Sequence, residues 1–234
     1  MPLMNSYPGF KLAHRFFSGT GHSYDNIVHL CTIGFDIWWK KKIMAKIPAR
    51  PLKIIDQACG TGILTLKIAE KFPHCRVIGI ELSDEYLRIA QQKAKALKSS
   101  TVAFILGRAE DIVLEDAFDC ITSSYLAKYA DLATLVQNAK KMLKPEGVLI
   151  MHDFTYPSGR IFSWIWERYF RILQTVGAFR YPEWRTAFNE LPTLLHETEW
   201  VNDLLRILSE NGFYDVTIEN LTFGTSAIIS ATRA

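Results

Sequence analysis

A chain of 234 residues is long enough for one sizeable α/β domain and short for two. Apolar residues make up 49% of it and the formal net charge is only +3, which excludes disordered, collagen-like and strongly basic nucleic-acid-binding classes. The run Lys40-Lys41-Lys42 is too short to form a basic face and reads as solvated helix surface. Cys31, Cys59, Cys75 and Cys120 include no CxxC pair and no histidine cluster joins them, so no metal site is expected. Cys59, Cys75 and Cys120 fall in or beside predicted core strands, which suits small buried thiols, and a reducing, cytoplasmic compartment is expected. Residues 1–17 lack the long apolar core of a signal peptide. No apolar run approaches the roughly 20 residues that span a bilayer.

In chain order, Ser23-Tyr24-Asp25 starts a helix, with Ile27, Leu30, Ile33 and Ile37 following at helical spacing. Pro48 and Pro51 punctuate the chain, and a regular alternation then begins. Leu52 to Asp56 reads as a buried strand, and Gly62 to Lys71 as a helix with Leu64, Leu66, Ile68, Ala69 and Phe72 inward. Arg76 to Ile80 is a second strand. Ser83-Asp84-Glu85 is a capped start for a helix reaching Leu97. Val102 to Leu106 and Phe118 to Ser123 are the third and fourth strands. A helix from Leu132 to Leu143 stops at Lys144-Pro145-Glu146-Gly147, and Val148 to Met151 is the fifth strand. Strands alternating with helices imply a mostly parallel sheet covered on both faces. Residues 158–200 are helical, aromatic and irregular, and a helix over 201–211 ends at Asn211-Gly212. Tyr214 to Glu219 and Thr225 to Thr232, joined by a short turn, predict a closing antiparallel hairpin.

Chemistry concentrates in Asp56-Gln57-Ala58-Cys59-Gly60-Thr61-Gly62. Ligands of open α/β sheets bind beyond the carboxyl ends of the strands, and a turn bearing Gly60 and Gly62 lets backbone approach them closely. Glu81, about 20 positions on at the end of the next strand, suits the two hydroxyls of a ribose. A dinucleotide fingerprint needs a small residue at its third glycine position, where this chain has Thr65, and does not usually carry an acid where Asp56 stands. Both differences favour S-adenosylmethionine (SAM) over a nicotinamide cofactor. Candidate contacts are Asp56, Ala58, Gly60, Thr61, Gly62, Glu81 and Leu82, with Arg108 and Ala109 beside an adenine and Ser123 ending the fourth strand. Glu110 or Asp111 either accepts from the adenine amino group or caps a turn.

Almost end to end, the chain resembles the UbiE-type methyltransferases. The segments that carry the likeness are Phe17 to Asp25, Asp56 to Gly62, Phe118 to Thr122, Leu143 to Gly147, Asp153 to Pro157 and Leu221 to Gly224. The resemblance implies a Rossmann-like class I methyltransferase of one domain. Its seven-stranded sheet would be mostly parallel with an antiparallel last strand, and helices would cover both faces. Residues 1–50 would form a helical cap, 51–157 the SAM-binding core, 158–200 a helical lid insertion, and 201–234 the last helix and hairpin. It also implies that Tyr24 and Asp25 help close over SAM, and that the acceptor is a quinol- or phenol-like ring methylated on carbon. The chain departs from the family at Ile63, at Lys128-Tyr129, which replace an Arg-Asn pair, and at Phe188 to Leu191. The donor site is thus better marked than the acceptor site.

A phenolic acceptor needs a base or an environment favouring its anion. The candidates are His152, Asp153 and Tyr125, at the ends of the fifth and fourth strands. His152 reads equally well as a hydrogen-bonded residue closing the strand. Substrate-side candidates are Lys128, Tyr156, Trp164, Asn189 and His196, with the aromatic segment Ile161 to Val176 expected to cover the site. Plain helix packing accounts for most of those aromatics. Arg160, Arg168 and Arg171 leave peripheral membrane contact open, and a homodimer is also open. The partner expected is a small-molecule acceptor. Methylation of O, N or S on another metabolite, and SAM binding without catalysis, are the alternatives.

Overall fold

The computed structural model describes residues 8–234, apart from the side chains of Pro8 and Phe10. Seven strands form one sheet in the order β3-β2-β1-β4-β5-β7-β6. They are β1 (Lys53–Gln57), β2 (Arg76–Glu81), β3 (Val102–Leu106), β4 (Phe118–Ser124), β5 (Leu143–Phe154), β6 (Phe213–Leu221) and β7 (Ser226–Arg233). Strands β1 to β5 run parallel, and β7 is antiparallel to both of its neighbours. The expected sheet is thus present, with the antiparallel strand inserted between β5 and β6.

The central strands are continuous apolar runs because helices bury both faces. On one face α6 (Leu132–Met142) and α10 (Trp200–Glu210) pack Leu135, Val136, Trp200, Leu204 and Leu208 against Ile55, Ile121 and Leu149. On the other, α3 (Phe35–Lys46) and α4 (Ile63–Lys71) pack Trp39, Ile43, Leu64 and Ile68 against Ile54, Val77 and Ile150. The remaining helices are α1 (Pro8–Phe17), α2 (Tyr24–Cys31), α5 (Asp84–Ala96), α7 (Arg160–Ile172), the single turn α8 (Ala178–Arg180) and α9 (Arg185–Glu197). A third apolar cluster joins the N-terminal helices to the 158–200 insertion through Phe16, Ile27, Leu173, Trp184 and Phe188.

Three sequence expectations change. The single helix through Ile37 is broken at Ile33 and Gly34, both left-handed, and so Leu30, Ile33 and Ile37 are exposed instead of forming one buried stripe. The break turns α3 so that Trp39, Lys40 and Ile43 face inward; Lys40 is only 3% exposed and is not solvated surface. The turn Lys144-Pro145-Glu146-Gly147 ends α6 as expected, yet it lies within the span of β5. The register with β4 slips there, between the pairs Phe118–Leu143 and Cys120–Val148, and Glu146 takes a positive φ.

The sheet order reverses between β1 and β4, which opens a crevice at their carboxyl ends. The loop after β1 is seated there by Gly79. A Cβ at Gly79 would stand 2.8 Å from both the Cys59 sulfur and the Phe104 ring, so only glycine lets the loop close onto β2. Cys59 N–H then donates to the Ile80 carbonyl at 2.9 Å.

Candidate active site

The loop from Ala58 to Gly62 needs three left-handed residues: Ala58, Gly60 and Gly62 have φ of 52°, 58° and 81°. At Gly62 a Cβ would also meet Ala90 of α5 at 3.0 Å, so strand, loop and helix close tightly only with glycine there. Two buried carboxylates hold this conformation. Glu81 accepts from the Gly60 N–H at 2.9 Å and the Ser83 N–H at 2.8 Å, tying the turns after β1 and β2 together. Asp56 accepts from the hydroxyls of Thr65 at 2.6 Å and Thr122 at 2.9 Å, linking β1 to α4 and β4. Burial pushes Asp56 up to about 6 against the pull of those two donors. Burial likewise raises Glu81, opposed by its backbone N–H donors.

The N-terminal segment clasps the same loop. Asp25 accepts from the Thr61 hydroxyl at 2.5 Å and pairs with Lys93 of α5, whose ammonium also reaches the Thr61 carbonyl. Glu85 accepts from Gly19 N–H at 3.0 Å and Gly21 N–H at 2.8 Å. These bonds press α1 and Tyr24 over a cavity of about 390 Å³, within the usual size range for a small-molecule site. Tyr24, Ala58, Gly60, Glu81, Leu82, Arg108 and Ala109 all line it. Asp56 and Thr61 instead border a small adjoining space that shares Tyr24, Ala58, Ser124 and Tyr125 with it. Gly62 borders neither. Arg108 faces the cavity while pairing with Glu110 at 3.4 Å. Ser123 is fully buried and its hydroxyl hydrogen-bonds to nothing among the described residues; the neighbouring Ser124 lines the cavity.

The three candidate bases differ. Tyr125 lines the cavity, with φ of 69°, its ring stacked on Phe154 at 4.8 Å and its hydroxyl buried without a hydrogen-bond partner. Burial keeps that phenol protonated. His152 is fully buried with both ring nitrogens engaged, Nδ1 with Ser124 Oγ at 3.0 Å and Nε2 with Ser226 Oγ at 2.7 Å. Desolvation holds it neutral, well below its ordinary range, and it ties β4, β5 and β7 together. Asp153, also buried, accepts from the Lys128 ammonium at 2.5 Å, the Lys128 N–H at 3.1 Å and the Phe154 N–H at 2.7 Å. Lys128 in turn sits 4.4 Å over the Tyr129 ring, and burial lowers its proton affinity. Neither His152 nor Asp153 borders the cavity.

Of the substrate-side candidates, Lys128 is consumed by that ion pair. Tyr156 donates to Glu167 at 2.9 Å and packs its ring against Trp166 and His196. Trp164, Asn189 and His196 are exposed. None of the five lines the cavity, and the insertion expected to cover it backs α1 from outside; Gly9, Ala13, His14, Phe17 and Ser18 form that wall. Sequence reading missed Glu85, Lys93 and Lys40. Asp25 carried a signal, since it stands in the Tyr24-Asp25 pair.

A family model described as the ubiE/COQ5 methyltransferase family matches residues 9–233. The chain belongs to the ubiE/COQ5 methyltransferase family. A demethylmenaquinone methyltransferase of Geobacillus stearothermophilus is 25% identical over 219 residues, covering 92% of this chain and 94% of the relative. Its counterpart from Staphylococcus aureus is 23% identical over 219 residues, with 92% and 90% covered. Among solved structures, a SAM-dependent methyltransferase of Aquifex aeolicus aligns with a TM-score of 0.60 at 13% identity, over 83% of this chain and 89% of that one. The geranyl diphosphate C-methyltransferase of Streptomyces coelicolor gives 0.59 at 16%, over 85% and 79%. These two show the shared class I fold. This ubiE/COQ5 protein is therefore a SAM-dependent methyltransferase. Its residues fit SAM: a carboxylate on the cavity wall for a ribose, glycine backbone beside it, and an apolar, partly charged rim at Gly107 to Glu110 for a base.

The buried Asp56 yields a pH prediction. It keeps its proton up to about pH 6 in the folded chain, against about 4 when unfolded. This group therefore makes folding less favourable as pH rises through that window. D56N should gain stability relative to wild type between pH 4 and 6, by on the order of 2–3 kcal/mol. Denaturant melts across that range check it, and parallel pH curves for the two proteins would contradict it.

Proposed function

We propose that this ubiE/COQ5 methyltransferase moves the methyl group of SAM onto a ring carbon of a small, largely apolar phenol or quinol. The observation that carries this reading is the cavity's composition. Phe17, Tyr24, Tyr86, Tyr125, Leu126 and Tyr129 line the same space as Glu81 and Gly60, so a flat apolar ring would meet aromatic walls next to the donor site. The two demethylmenaquinone methyltransferases it resembles support the ring as acceptor.

When bound, SAM supplies a methyl group on a sulfonium, and transfer requires a nucleophile held in line at close range. The chain contributes mainly position and dryness. The wall from α1 excludes water, and the clasp of Asp25, Lys93 and Glu85 fixes that wall. The Tyr125 hydroxyl remains a donor without a partner among the described residues, suited to an oxygen of the acceptor. Methyl-labelled SAM incubated with a reduced, demethylated naphthoquinone tests the reading. Mass and NMR analysis should find the methyl on a ring carbon, and Y125F should lower kcat about tenfold while the KM for SAM stays within about twofold. Methyl on oxygen or nitrogen, or no transfer to any phenol or quinol, would overturn it.

We also infer that the enzyme meets its acceptor at an anionic membrane surface. Ile161, Trp164, Ile165, Ile172, Val176 and Phe179 are all exposed along α7 and the turn after it, with Phe179 at 87%. Arg160, Arg168, Arg171 and Arg180 are exposed beside them, an apolar and basic combination that favours lying on headgroups. No helix among the described residues is long and apolar enough to cross a membrane. Wild type should co-sediment with vesicles rich in anionic lipid more than with neutral ones, and F179E with W164E should abolish the difference. Equal sedimentation of wild type with both vesicle types would sink the idea.

A further inference from the structure

The buried ammonium of Lys40 hydrogen-bonds to nothing among the described residues. Its side chain is 4% exposed. Its nearest carboxylate is Asp36, whose Oδ2 lies 4.0 Å away, beyond hydrogen-bonding distance, while the other oxygen, Oδ1, is held by the Thr32 hydroxyl at 3.1 Å and by His29 at 3.2 Å. The Tyr125 ring centre lies 5.1 Å away. A buried cation left this short of partners is costly unless a ligand completes it. Burial accordingly lowers Lys40 to about 8, so an arriving anion would find a group that gains from it.

Lys40 borders the small space beside the main cavity, together with Asp56, Ala58, Cys59 and Thr61. The two spaces meet at Tyr24, Ala58, Ser124 and Tyr125. Strand order sets the direction of a bound donor. The base faces Gly107 to Ala109 after β3, the ribose faces Glu81 after β2, and the next strand is β1. A tail leaving the ribose away from the base therefore runs over Ala58 toward Asp56 and Lys40. That tail ends in an ammonium and a carboxylate, and the carboxylate cannot sit on Asp56.

We propose that Lys40 is the counter-ion for the carboxylate at the amino-acid end of the methyl donor. The site takes α-amino acid carboxylates joined to a nucleoside. Lys40 is thus a donor-binding residue, and its role does not depend on which acceptor the enzyme uses.

Two neutral thioethers test it by calorimetry: S-adenosylhomocysteine, which has the amino-acid tail, and methylthioadenosine, which lacks it. Neither carries a transferable methyl, so acceptor chemistry plays no part. In K40M the affinity for S-adenosylhomocysteine should fall about tenfold or more, the size of a lost charge-assisted hydrogen bond. Methylthioadenosine should bind as it does to wild type, within about twofold, and K40R should restore most of the loss. Relief of the buried charge should leave the melting temperature of K40M equal to or above that of wild type. An equal loss for both ligands would make Lys40 a scaffold residue, and no loss for either would assign the charge to the acceptor side; both results overturn the proposal. Wild type binding neither ligand would instead remove the donor site itself.

Discussion

The carboxylate of Glu81 holds two backbone turns at once, and the donor site follows from that grip. A loop with three left-handed residues has few internal hydrogen bonds of its own. Glu81 supplies an acceptor for Gly60 on one side and Ser83 on the other, so the ends of β1 and β2 are fixed relative to each other. The same carboxylate faces the cavity, where its remaining acceptor capacity is available to hydroxyl groups. Asp56 does the equivalent work one strand over, with Thr65 and Thr122 as its donors. Burying two acids is unfavourable in itself, and the four N–H and O–H donors from Gly60, Ser83, Thr65 and Thr122 are what make the arrangement tolerable. The scaffold is thus preorganised before any ligand arrives.

Much of this was legible in the sequence because local and global signals agree in the core. Runs such as Leu52 to Asp56 and Arg76 to Ile80, separated by a glycine-bearing loop and a helix, read as buried parallel strands. Asp56, Gly60, Gly62 and Glu81 mark the site by spacing alone. Thr65 was informative as an exclusion, but its bond to Asp56 was not visible, since a pair nine residues apart across a strand–loop–helix has no periodic signature.

What stayed hidden depended on tertiary packing. In α3, apolar residues ring the helix: Trp39 and Ile43 are buried while Phe35, Ile37 and Trp38 are exposed. No face could be read from such a pattern, and three consecutive lysines looked like surface. The left-handed break at Ile33 and Gly34 decides which lysine turns inward. Topology places His152 and Asp153 at the end of β5, but both are buried behind the cavity wall, held by partners, Ser226 and Lys128, that come from distant segments. The insertion was expected to cover the active site. It packs on the N-terminal helices instead through Leu173, Trp184 and Phe188, while Ile161, Trp164, Ile165 and Phe179 are exposed.

The fold therefore divides labour along the sheet edge. On the proposed reading, strands β3, β2 and β1 in turn offer surfaces for a base, a sugar and a charged tail, and β4 carries Tyr125 to the same cavity. A crystal structure with S-adenosylhomocysteine tests this division most directly. The account predicts the ribose hydroxyls on Glu81, the base beside Arg108 and Ala109, and the tail over Ala58 toward Asp56. Density with the tail pointing away from β1, or a ribose that does not touch Glu81, would contradict it.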